Sequence, residues 1–194
     1  MGENIKNILL TGTSGFLGTH MRKHLYGYPN QWRILSINSR DEFENFEEKF
    51  ANQKIDIIIH AGFSIGFQES NTDDSSKNIE NTRRVLKFSE ERGASYAIFL
   101  SAAGTLGVSK NNQARNEGHF GRTDPEFIDY LNTQYIQDKI ACQKIVDNLP
   151  FPAATLYLTT VYGKSMDPNV VDRLKGLCGS NPIVVYPPGG SSFL

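Results

Sequence analysis

A tyrosine and a lysine stand four positions apart in the segment YIQDK, residues 135–139, and together they could do acid/base chemistry. In a helix this spacing places both side chains on one face. The ammonium group of Lys139 would then lower the pKa of the Tyr135 phenol, and such a phenol can donate or accept a proton at a substrate oxygen. The same spacing also arises by chance on helix surfaces, so the pair needs support from the rest of the chain.

Three glycines, Gly12, Gly15 and Gly18, stand three positions apart directly after the first apolar segment, IKNILL. We interpret Gly12 as permitting a tight turn and Gly15 as letting the backbone approach a pyrophosphate, whereas Gly18 lets a helix lie close on the strand. Helix–strand packing alone can also select glycine. Here, however, the triplet joins a buried strand to a helix whose free amides and dipole form an anion site, so it predicts nucleotide binding.

Segments with strand and helix character alternate along the chain. Short apolar runs stopped by turn residues predict buried strands, and amphipathic segments between them predict helices. The predicted strands are IKNILLTG, WRILSIN, IDIIIHAG, SYAIFLSAAG, PAATLYLTTVYG and PIVVY. Between the second and third of them, DEFENFEEKFANQ predicts one amphipathic helix, since Phe43, Phe46 and Phe50 recur at helical spacing. Repeated strand–helix units predict an α/β protein of Rossmann type, with a doubly wound parallel sheet flanked by helices on both faces.

The composition limits the class of partner. With 194 residues and a net charge of −1, the chain can form one sizeable core but has no basic excess for nucleic acid or an anionic membrane. No apolar run approaches the ~20 residues that span a bilayer, and we expect no signal peptide. Cys142 and Cys178 lack the spacing of metal ligands. We therefore expect buried thiols, no metal site and a cytoplasmic location.

The glycine turn, TGTSGFLG, resembles the TGxxGFLG fingerprint of the extended short-chain dehydrogenase/reductase family, which includes sugar-nucleotide epimerases, dehydratases and reductases. The segments HAG, NIENTRRVL and TVYG are similar to three further motifs of that family. Tyr135 and Lys139 match its Tyr-x-x-x-Lys, in which the lysine also holds the cofactor ribose. The resemblance implies these cofactor-binding residues: Gly12, Ser14, Gly15, Phe16, Leu17, Gly18, Ala61, Gly62, Asn78, Lys139 and Val161.

The end of the second strand should distinguish NAD from NADP. An acidic residue at this position binds the adenosine ribose of NAD, whereas a basic one accommodates the 2′-phosphate of NADP. Asn38 stands at the aligned position, and Ser39 and Arg40 follow it. Asn38 does not repel a phosphate, and Ser39 and Arg40 could bind one, so we predict NADP in preference to NAD. In the alternative, Arg40 is only a solvated loop residue.

One member of the family's catalytic group is replaced. The family places a Ser or Thr after the fourth strand, where it hydrogen-bonds the reacting oxygen, but here Ala102 or Ala103 aligns with it. Ser101 and Thr105 are the candidate substitutes, although Ser101 precedes the aligned position and would point to the opposite face of the strand. Loss of one such donor can cost ~10²–10³ in rate, so we expect reduced activity rather than none.

The resemblance also implies domain boundaries and a function. Residues 1–163 would form the NAD(P)-binding Rossmann domain, and residues 164–194 a last helix–strand unit and the start of an otherwise missing substrate lobe. We expect an NAD(P)-dependent oxidoreductase, epimerase or dehydratase acting on a nucleotide-activated sugar, with Tyr135 as the acid/base. The alternative is a catalytically impaired or non-catalytic nucleotide-binding module, or a fragment of a longer enzyme. Family members often pair through the helices that carry Asn78 and Tyr135, so a homodimer is a further hypothesis.

Overall fold

The computed structural model describes residues 5–38, 40–63, 72–107, 116–121, 133–159, 161 and 163, without the side chains of residues 40, 41 and 72–76. The main elements are β1 (Lys6–Thr11), α1 (Phe16–Leu25), β2 (Trp32–Ile37), α2 (Arg40–Glu44), α3 (Phe46–Lys49), β3 (Ile57–His60), α4 (Thr72–Glu91), β4 (Tyr96–Ala102), α5 (Gln134–Asp147) and β5 (Ala153–Leu158). Within these ranges no helix has the length and apolarity needed to cross a membrane, and no group of three His, Cys, Asp or Glu side chains could hold a metal ion. The predicted sixth strand and residues 164–194 lie outside the description, so the domain boundary stays a prediction.

The five described strands form one parallel sheet in the order β2-β1-β3-β4-β5. The order reverses at β1, which pairs with β2 on one side and with β3 on the other. At such a switch point the connections leave opposite faces of the sheet, and a crevice opens outside the carboxyl ends of the strands. The doubly wound parallel sheet that the alternating pattern predicted is confirmed, and it places a ligand site at the ends of β1 and β3.

Helices cover both faces of the sheet. One buried cluster joins strand side chains to α4 and α5, and its members include Leu9, Ile58, Phe99, Val85, Leu86, Cys142 and Val146. A second cluster joins the other face to α1, and it includes Ile8, Leu10, Ile59, Leu100, Leu17, Met21 and Leu25. Successive strand residues point to opposite faces. An uninterrupted apolar run such as that of β1 is therefore what a strand covered on both faces requires.

The acidic segment after β2 departs from its prediction. It forms two short helices, α2 and α3, separated at Asn45, whose φ of −117° and ψ of 9° leave the helical region. The prediction of one continuous helix is therefore wrong. The aromatic pattern nevertheless identified the buried face, because Phe46 and Phe50 are buried and Phe43 packs against the same cluster. The ring of Phe46 meets that of Phe88 on α4, with centroids 5.1 Å apart, so the segment is held by packing rather than by helix continuity.

The turn from β1 to α1 requires glycine at two positions because the chain packs on itself there. Gly12 has a φ of +71°, and a Cβ on it would stand 2.6 Å from the amide nitrogen of Gly62. A Cβ on Gly18 would stand 2.6 Å from the carbonyl carbon of Gly12 and closer still to its oxygen. Gly15 differs, since among the described residues a Cβ there would meet only the oxygen of Gly12, at 3.3 Å.

These contacts predict that two Gly→Ala variants differ in the stability they lose. Gly18→Ala should lower the free energy of unfolding by roughly 1–3 kcal/mol, because the new methyl group overlaps backbone that cannot move aside cheaply. Gly15→Ala should change it by less than about 1 kcal/mol, because its backbone is already extended and its one close contact, with the oxygen of Gly12 at 3.3 Å, requires only a small shift. Urea unfolding of the two variants checks this, and an equal loss in both would contradict it.

Candidate active site

A cleft of about 410 Å³ lies at the carboxyl ends of the first three strands. Its lining consists of Gly12, Ser14, Gly15, Ile37, Asn38, Phe43, Glu44, Ala61, Gly62, Phe63, Lys77, Asn78 and Asn81. The first turn of α1 borders the cleft at Gly15, which takes the N-cap position with extended backbone and receives no side-chain cap from the described residues. The first amides of α1 are thus available to an anion, and the helix dipole favours its charge.

The residues present fit the pyrophosphate of a dinucleotide. A Cβ on Gly15 would meet one backbone oxygen, that of Gly12, at 3.3 Å, whereas on Gly12 or Gly18 it would overlap backbone atoms. An uncapped helix start and a glycine therefore stand together at the switch point of the sheet, the place where open α/β sheets bind nucleotides. This geometry can hold a phosphate group by backbone hydrogen bonds alone.

Half of the predicted cofactor residues line the cleft. Those in its lining are Gly12, Ser14, Gly15, Asn38, Ala61, Gly62 and Asn78. Gly18 lies beneath the turn, and Leu17 packs into the cluster under α1. These two positions are therefore determined by packing, whatever their backbone amides do toward a ligand.

Four other predicted cofactor residues lie elsewhere or escape description. Phe16 packs edge-to-face on His20, with centroids 4.9 Å apart, and is not among the lining residues. Val161 is exposed and is also not among them. Ser39 lies outside the described residues, and only the backbone of Arg40 is described.

Lys139 lies inside the protein next to Tyr135. Its ammonium group is 2.8 Å from the carbonyl oxygen of Leu100, to which it donates, and 3.8 Å from the ring centroid of Phe63. Only 5% of the Lys139 surface is exposed, and this burial lowers the pKa of its side chain to about 8. The ring of Phe99 lies on another side of the ammonium, at 5.2 Å. The lysine is thus held by one carbonyl and by aromatic faces, which attract a cation.

Phe63 connects the pair to the cleft. Its ring meets that of Tyr135 edge-to-face, with centroids 5.6 Å apart, and it also lines the cleft. The Lys139 nitrogen lies 6.0 Å from the centroid of the Tyr135 ring, which is half-buried. The structure therefore brings the predicted acid/base pair to the edge of the predicted nucleotide cleft, and Phe63 is a site residue that the sequence did not single out.

The two candidate substitutes for the missing hydroxyl differ in their surroundings. Thr105 is fully buried, and its hydroxyl donates to the carbonyl oxygen of Ala102 at 2.8 Å. Ser101 is also buried, but its hydroxyl has no hydrogen-bond partner among the described residues. Because alternate strand residues share a face, Ser101 lies on the side of Phe99, which faces α5 and Lys139. Of the two, Ser101 has the hydroxyl that is available to another group.

A buried chain of hydrogen bonds, also missed at the sequence level, spans the core beneath the cleft. The amide of Gly62 donates to the hydroxyl of Thr11 at 2.9 Å, and that hydroxyl lies 2.8 Å from Nδ1 of His60. On the other side, Nε2 of His60 lies 3.0 Å from the hydroxyl of Thr82, which donates to the carbonyl oxygen of Asn78 at 2.8 Å. Every donor then has one acceptor if His60 carries its proton on Nε2, so we assign that tautomer. The chain ties two cleft residues, Gly62 and Asn78, to one histidine.

Burial determines the charge states under the cleft. His60 is fully enclosed, and its burial, together with the charge of Lys139, lowers its pKa to about 3. It is therefore neutral at physiological pH, as the hydrogen-bond chain requires. Thr11 and His60 are polar residues at the ends of two neighbouring apolar strands, and they lie in register across the sheet. This pair is the sequence signal that could have revealed the buried chain of hydrogen bonds.

The buried ammonium predicts a characteristic pH dependence of stability. Between about pH 8 and 10.5 the unfolded chain retains a proton that Lys139 has released in the folded state, so the stability of the folded protein rises with pH in that window. Lys139→Met removes this effect. At pH 7 the variant should therefore be more stable than the parent, by up to roughly 3 kcal/mol, and the gap should close toward pH 10.

Urea unfolding at pH 7, 8.5 and 10 measures this gap. Lys144→Met, which removes an exposed ammonium from the same helix, controls for the general effect of charge loss. A gap that is constant across the three pH values, or that widens with pH, would show that Lys139 is not destabilised by burial.

The chain resembles known proteins in sequence and in fold. A sequence profile of the NAD dependent epimerase/dehydratase family matches residues 8–177. The N-acetyl-alpha-D-glucosaminyl-diphospho-ditrans,octacis-undecaprenol 4-epimerase of Escherichia coli O157:H7 is 24% identical over 195 residues, covering 92% of this chain and 56% of that enzyme.

Two solved structures from Bordetella bronchiseptica share the fold. WbmH in complex with NAD+ superposes with a TM-score of 0.69 at 16% identity, over 89% of this chain and 63% of its own. WbmG in complex with NAD and UDP gives a TM-score of 0.67 at 19% identity, over 89% and 60%. The chain thus spans between 56% and 63% of the length of these relatives. Since the profile match covers most of the chain and agrees with its fold and glycine turn, the chain belongs to the NAD-dependent epimerase/dehydratase family.

Proposed function

We propose that this chain is the dinucleotide-binding and acid/base part of an NAD(P)-dependent enzyme that acts on a nucleotide-activated sugar. One observation carries the proposal: Tyr135 and a buried Lys139 meet the nucleotide cleft through Phe63. Neither the cleft nor the pair alone would specify this chemistry, since clefts of this kind bind many nucleotides and such pairs occur on many helices. Their contact joins a cofactor site to a group that can move a proton.

The cofactor would lie across the switch point of the sheet. The first amides of α1, beside Gly15, would hold its pyrophosphate. Ala61 and Gly62 are small, so they leave room for it, and Asn78 also lines the cleft. When bound, a nicotinamide supplies or accepts the hydride of the reaction.

Lys139 and Tyr135 would handle the proton. The ammonium group, charged over most of its population at pH 7, stabilises the phenolate form of the neighbouring tyrosine by Coulomb attraction. Tyr135 is half-buried, and its ring is held against Phe63, which lines the cleft. It would take the proton from a sugar hydroxyl as the carbonyl forms, and return it in the reverse direction.

The relatives indicate the substrate class. The name of the Escherichia coli enzyme describes a sugar carried on a lipid diphosphate, and the WbmG structure holds UDP beside NAD. Both molecules contain a diphosphate. We propose a nucleotide diphosphate as the carrier, and a polyprenyl diphosphate sugar is the comparison substrate that an assay must include.

The alanine at the family's hydroxyl position favours a second candidate function, which is a nucleotide-binding module with little or no catalysis. The side chains of Ala102 and Ala103 cannot hydrogen-bond a reacting oxygen, and the Thr105 hydroxyl already donates to the carbonyl oxygen of Ala102. Without a substitute donor the chain would bind the nucleotide and turn over slowly or not at all. Ser101 is the group we propose as that substitute, because its buried hydroxyl faces α5.

A homodimer through α4 and α5 is part of the proposal. These two helices pack side by side and leave a groove of about 400 Å³ lined by Leu86, Ile145 and Leu149 among charged side chains. Apolar side chains in a groove between two long helices fit a second helix pair. Light scattering of the purified protein checks this, and a monomer at micromolar concentration would contradict it.

Removal of the Tyr135 hydroxyl tests the acid/base role. Tyr135→Phe should lower turnover at least about 10²-fold, because the proton then has no carrier. Its affinity for the dinucleotide should stay within about twofold, since the ring and its contact with Phe63 remain. Tyr96→Phe makes the same chemical change on an exposed side chain at the far end of β4 and should leave both unchanged.

Dinucleotide binding by calorimetry and hydride exchange on pooled nucleotide sugars and a polyprenyl diphosphate sugar measure the two quantities. Unchanged turnover in Tyr135→Phe would contradict the acid/base assignment. Binding without turnover in the parent would instead support the non-catalytic module, and failure to bind either dinucleotide would exclude both functions.

A further inference from the structure

The side chain of Phe63 stands between the cleft and the acid/base pair. It belongs to the lining of the cleft, whereas neither Tyr135 nor Lys139 does. The centroid of its ring lies 3.8 Å from the Lys139 nitrogen, and the ring meets that of Tyr135 edge-to-face at 5.6 Å. Among the described residues the cleft therefore ends at Phe63, and the pair lies directly behind it.

The ammonium group behind this ring has hydrogen-bonding capacity that the described residues leave unused. It carries three donors, and these residues give it one acceptor, the carbonyl oxygen of Leu100 at 2.8 Å. Phe63 and Phe99 offer it only ring faces, and 5% of the lysine surface is exposed. Hydrogen bonds from a charged donor are stronger than contacts with a ring face. A ligand oxygen that reached Lys139 would therefore replace the Phe63 ring.

The backbone just before this ring is fixed, whereas the ring itself is only partly enclosed. The amide of Gly62 donates to the hydroxyl of Thr11 at 2.9 Å, and a Cβ on Gly62 would stand 3.1 Å from the amide nitrogen of Gly12. Phe63 packs against the edge of the buried cluster under α4 and α5 and is half-buried. A movement at this place is therefore a change of side-chain rotamer, which leaves the turn and the cleft intact.

We propose that the Phe63 ring is a gate: it covers Lys139 and Tyr135 in this structure, and a dinucleotide that extends from the cleft to the pair displaces it. The inference rests on the proposed function, in that the cleft must bind a nicotinamide dinucleotide. A site that is open for only part of the time binds its ligand more weakly by that fraction. The gate thus weakens the binding of the whole dinucleotide but not that of a fragment that fills the cleft alone.

Two other roles for Phe63 make different predictions. If the ring only packs against its neighbours, its loss changes the binding of the fragment and of the dinucleotide by the same factor. If the ring instead forms part of the surface that holds the dinucleotide, its loss weakens the dinucleotide more than the fragment. The ratio of the two affinities therefore distinguishes all three roles.

The test compares ADP, which has the adenosine and the diphosphate alone, with the dinucleotide that the chain binds more tightly, NAD+ or NADP+. Calorimetry at fixed salt gives the dissociation constants for the full chain and its variants. Phe63→Ala should strengthen dinucleotide binding by about tenfold, because the contacts that hold the ring closed are worth factors of this order. It should change ADP binding by less than about threefold.

Two further variants control this comparison. Phe63→Leu keeps an apolar side chain but removes the ring face, so it should strengthen dinucleotide binding by a smaller factor. If Phe63→Ala does not fold, this variant provides the same ratio. Phe43→Ala makes the same change at another ring of the cleft lining, one that packs on Phe46 with centroids 5.1 Å apart. It should leave the ratio of the two affinities within about twofold of that of the parent.

Acetylation of lysine side chains, followed by mass spectrometry, measures the cover over Lys139 with no nucleotide present. Lys144, an exposed lysine on the same helix, is the internal reference. Relative to Lys144, the rate at Lys139 should rise at least about fivefold in Phe63→Ala, because the fraction of open sites rises. The same rate in the parent and in both Phe63 variants would overturn the gate, whatever the binding constants are.

Each remaining outcome also decides the matter. A ratio that stays within twofold of that of the parent in both Phe63 variants shows that the ring only packs. Dinucleotide binding that weakens relative to that of ADP shows that the ring holds the ligand, and this too overturns the gate. If the parent binds neither ADP nor either dinucleotide, the proposed function fails first, and the inference loses its basis.

Discussion

The contact between the backbones of Gly12 and Gly62 determines where the cleft lies. It occurs where β1 and β3, paired in register, both end, so neither turn has room for a side chain on that side. The chain after β1 must then leave toward one face of the sheet and form α1. The crevice at the switch point, which the first turn of α1 borders at Gly15, lies directly beside this approach of two backbones.

The buried ammonium of Lys139 affects both the stability of the fold and the chemistry of the proposed site. Lys139 is enclosed by the Leu100 carbonyl and by aromatic rings, an arrangement that leaves its ammonium incompletely solvated and lowers its pKa. Burial, with a smaller contribution from the same charge, lowers the pKa of His60 to about 3, and a neutral His60 is what the hydrogen bonds from Thr11 to Thr82 require. The lowered pKa of Lys139 predicts that this lysine makes the protein less stable at neutral pH, while the fold holds its ammonium beside Tyr135.

Sequence patterns predicted the sheet, the helices on both of its faces and the location of the cleft. These features depend on local periodicity and on glycines at positions that have no room for a side chain. They did not predict the break at Asn45, since helical spacing continues through Phe43 and Phe46 and the break is made by packing on α4. They also missed Phe63, whose importance comes from a ring meeting Lys139 far along the chain. The preference for NADP was drawn from Asn38, Ser39 and Arg40, and the bonds that Asn38 makes to Glu42 on α2 could not be read from those three residues.

Alanine at the family's hydroxyl position removes one hydrogen-bond donor from the proposed site but leaves the pair of Tyr135 and Lys139 in place. In the proposed function, proton transfer by Tyr135 would depend on the nearby ammonium, and that ammonium is positioned by Leu100, Phe63 and Phe99 rather than by the residue at 102 or 103. The missing donor would act on the substrate oxygen instead, where one hydrogen bond is worth ~10²–10³ in rate. A site that keeps its charge and its proton carrier but lacks this bond is expected to be slow rather than inert. We propose Ser101 as the substitute, because its hydroxyl has no partner among the described residues and it lies on the strand that also supplies the Leu100 carbonyl.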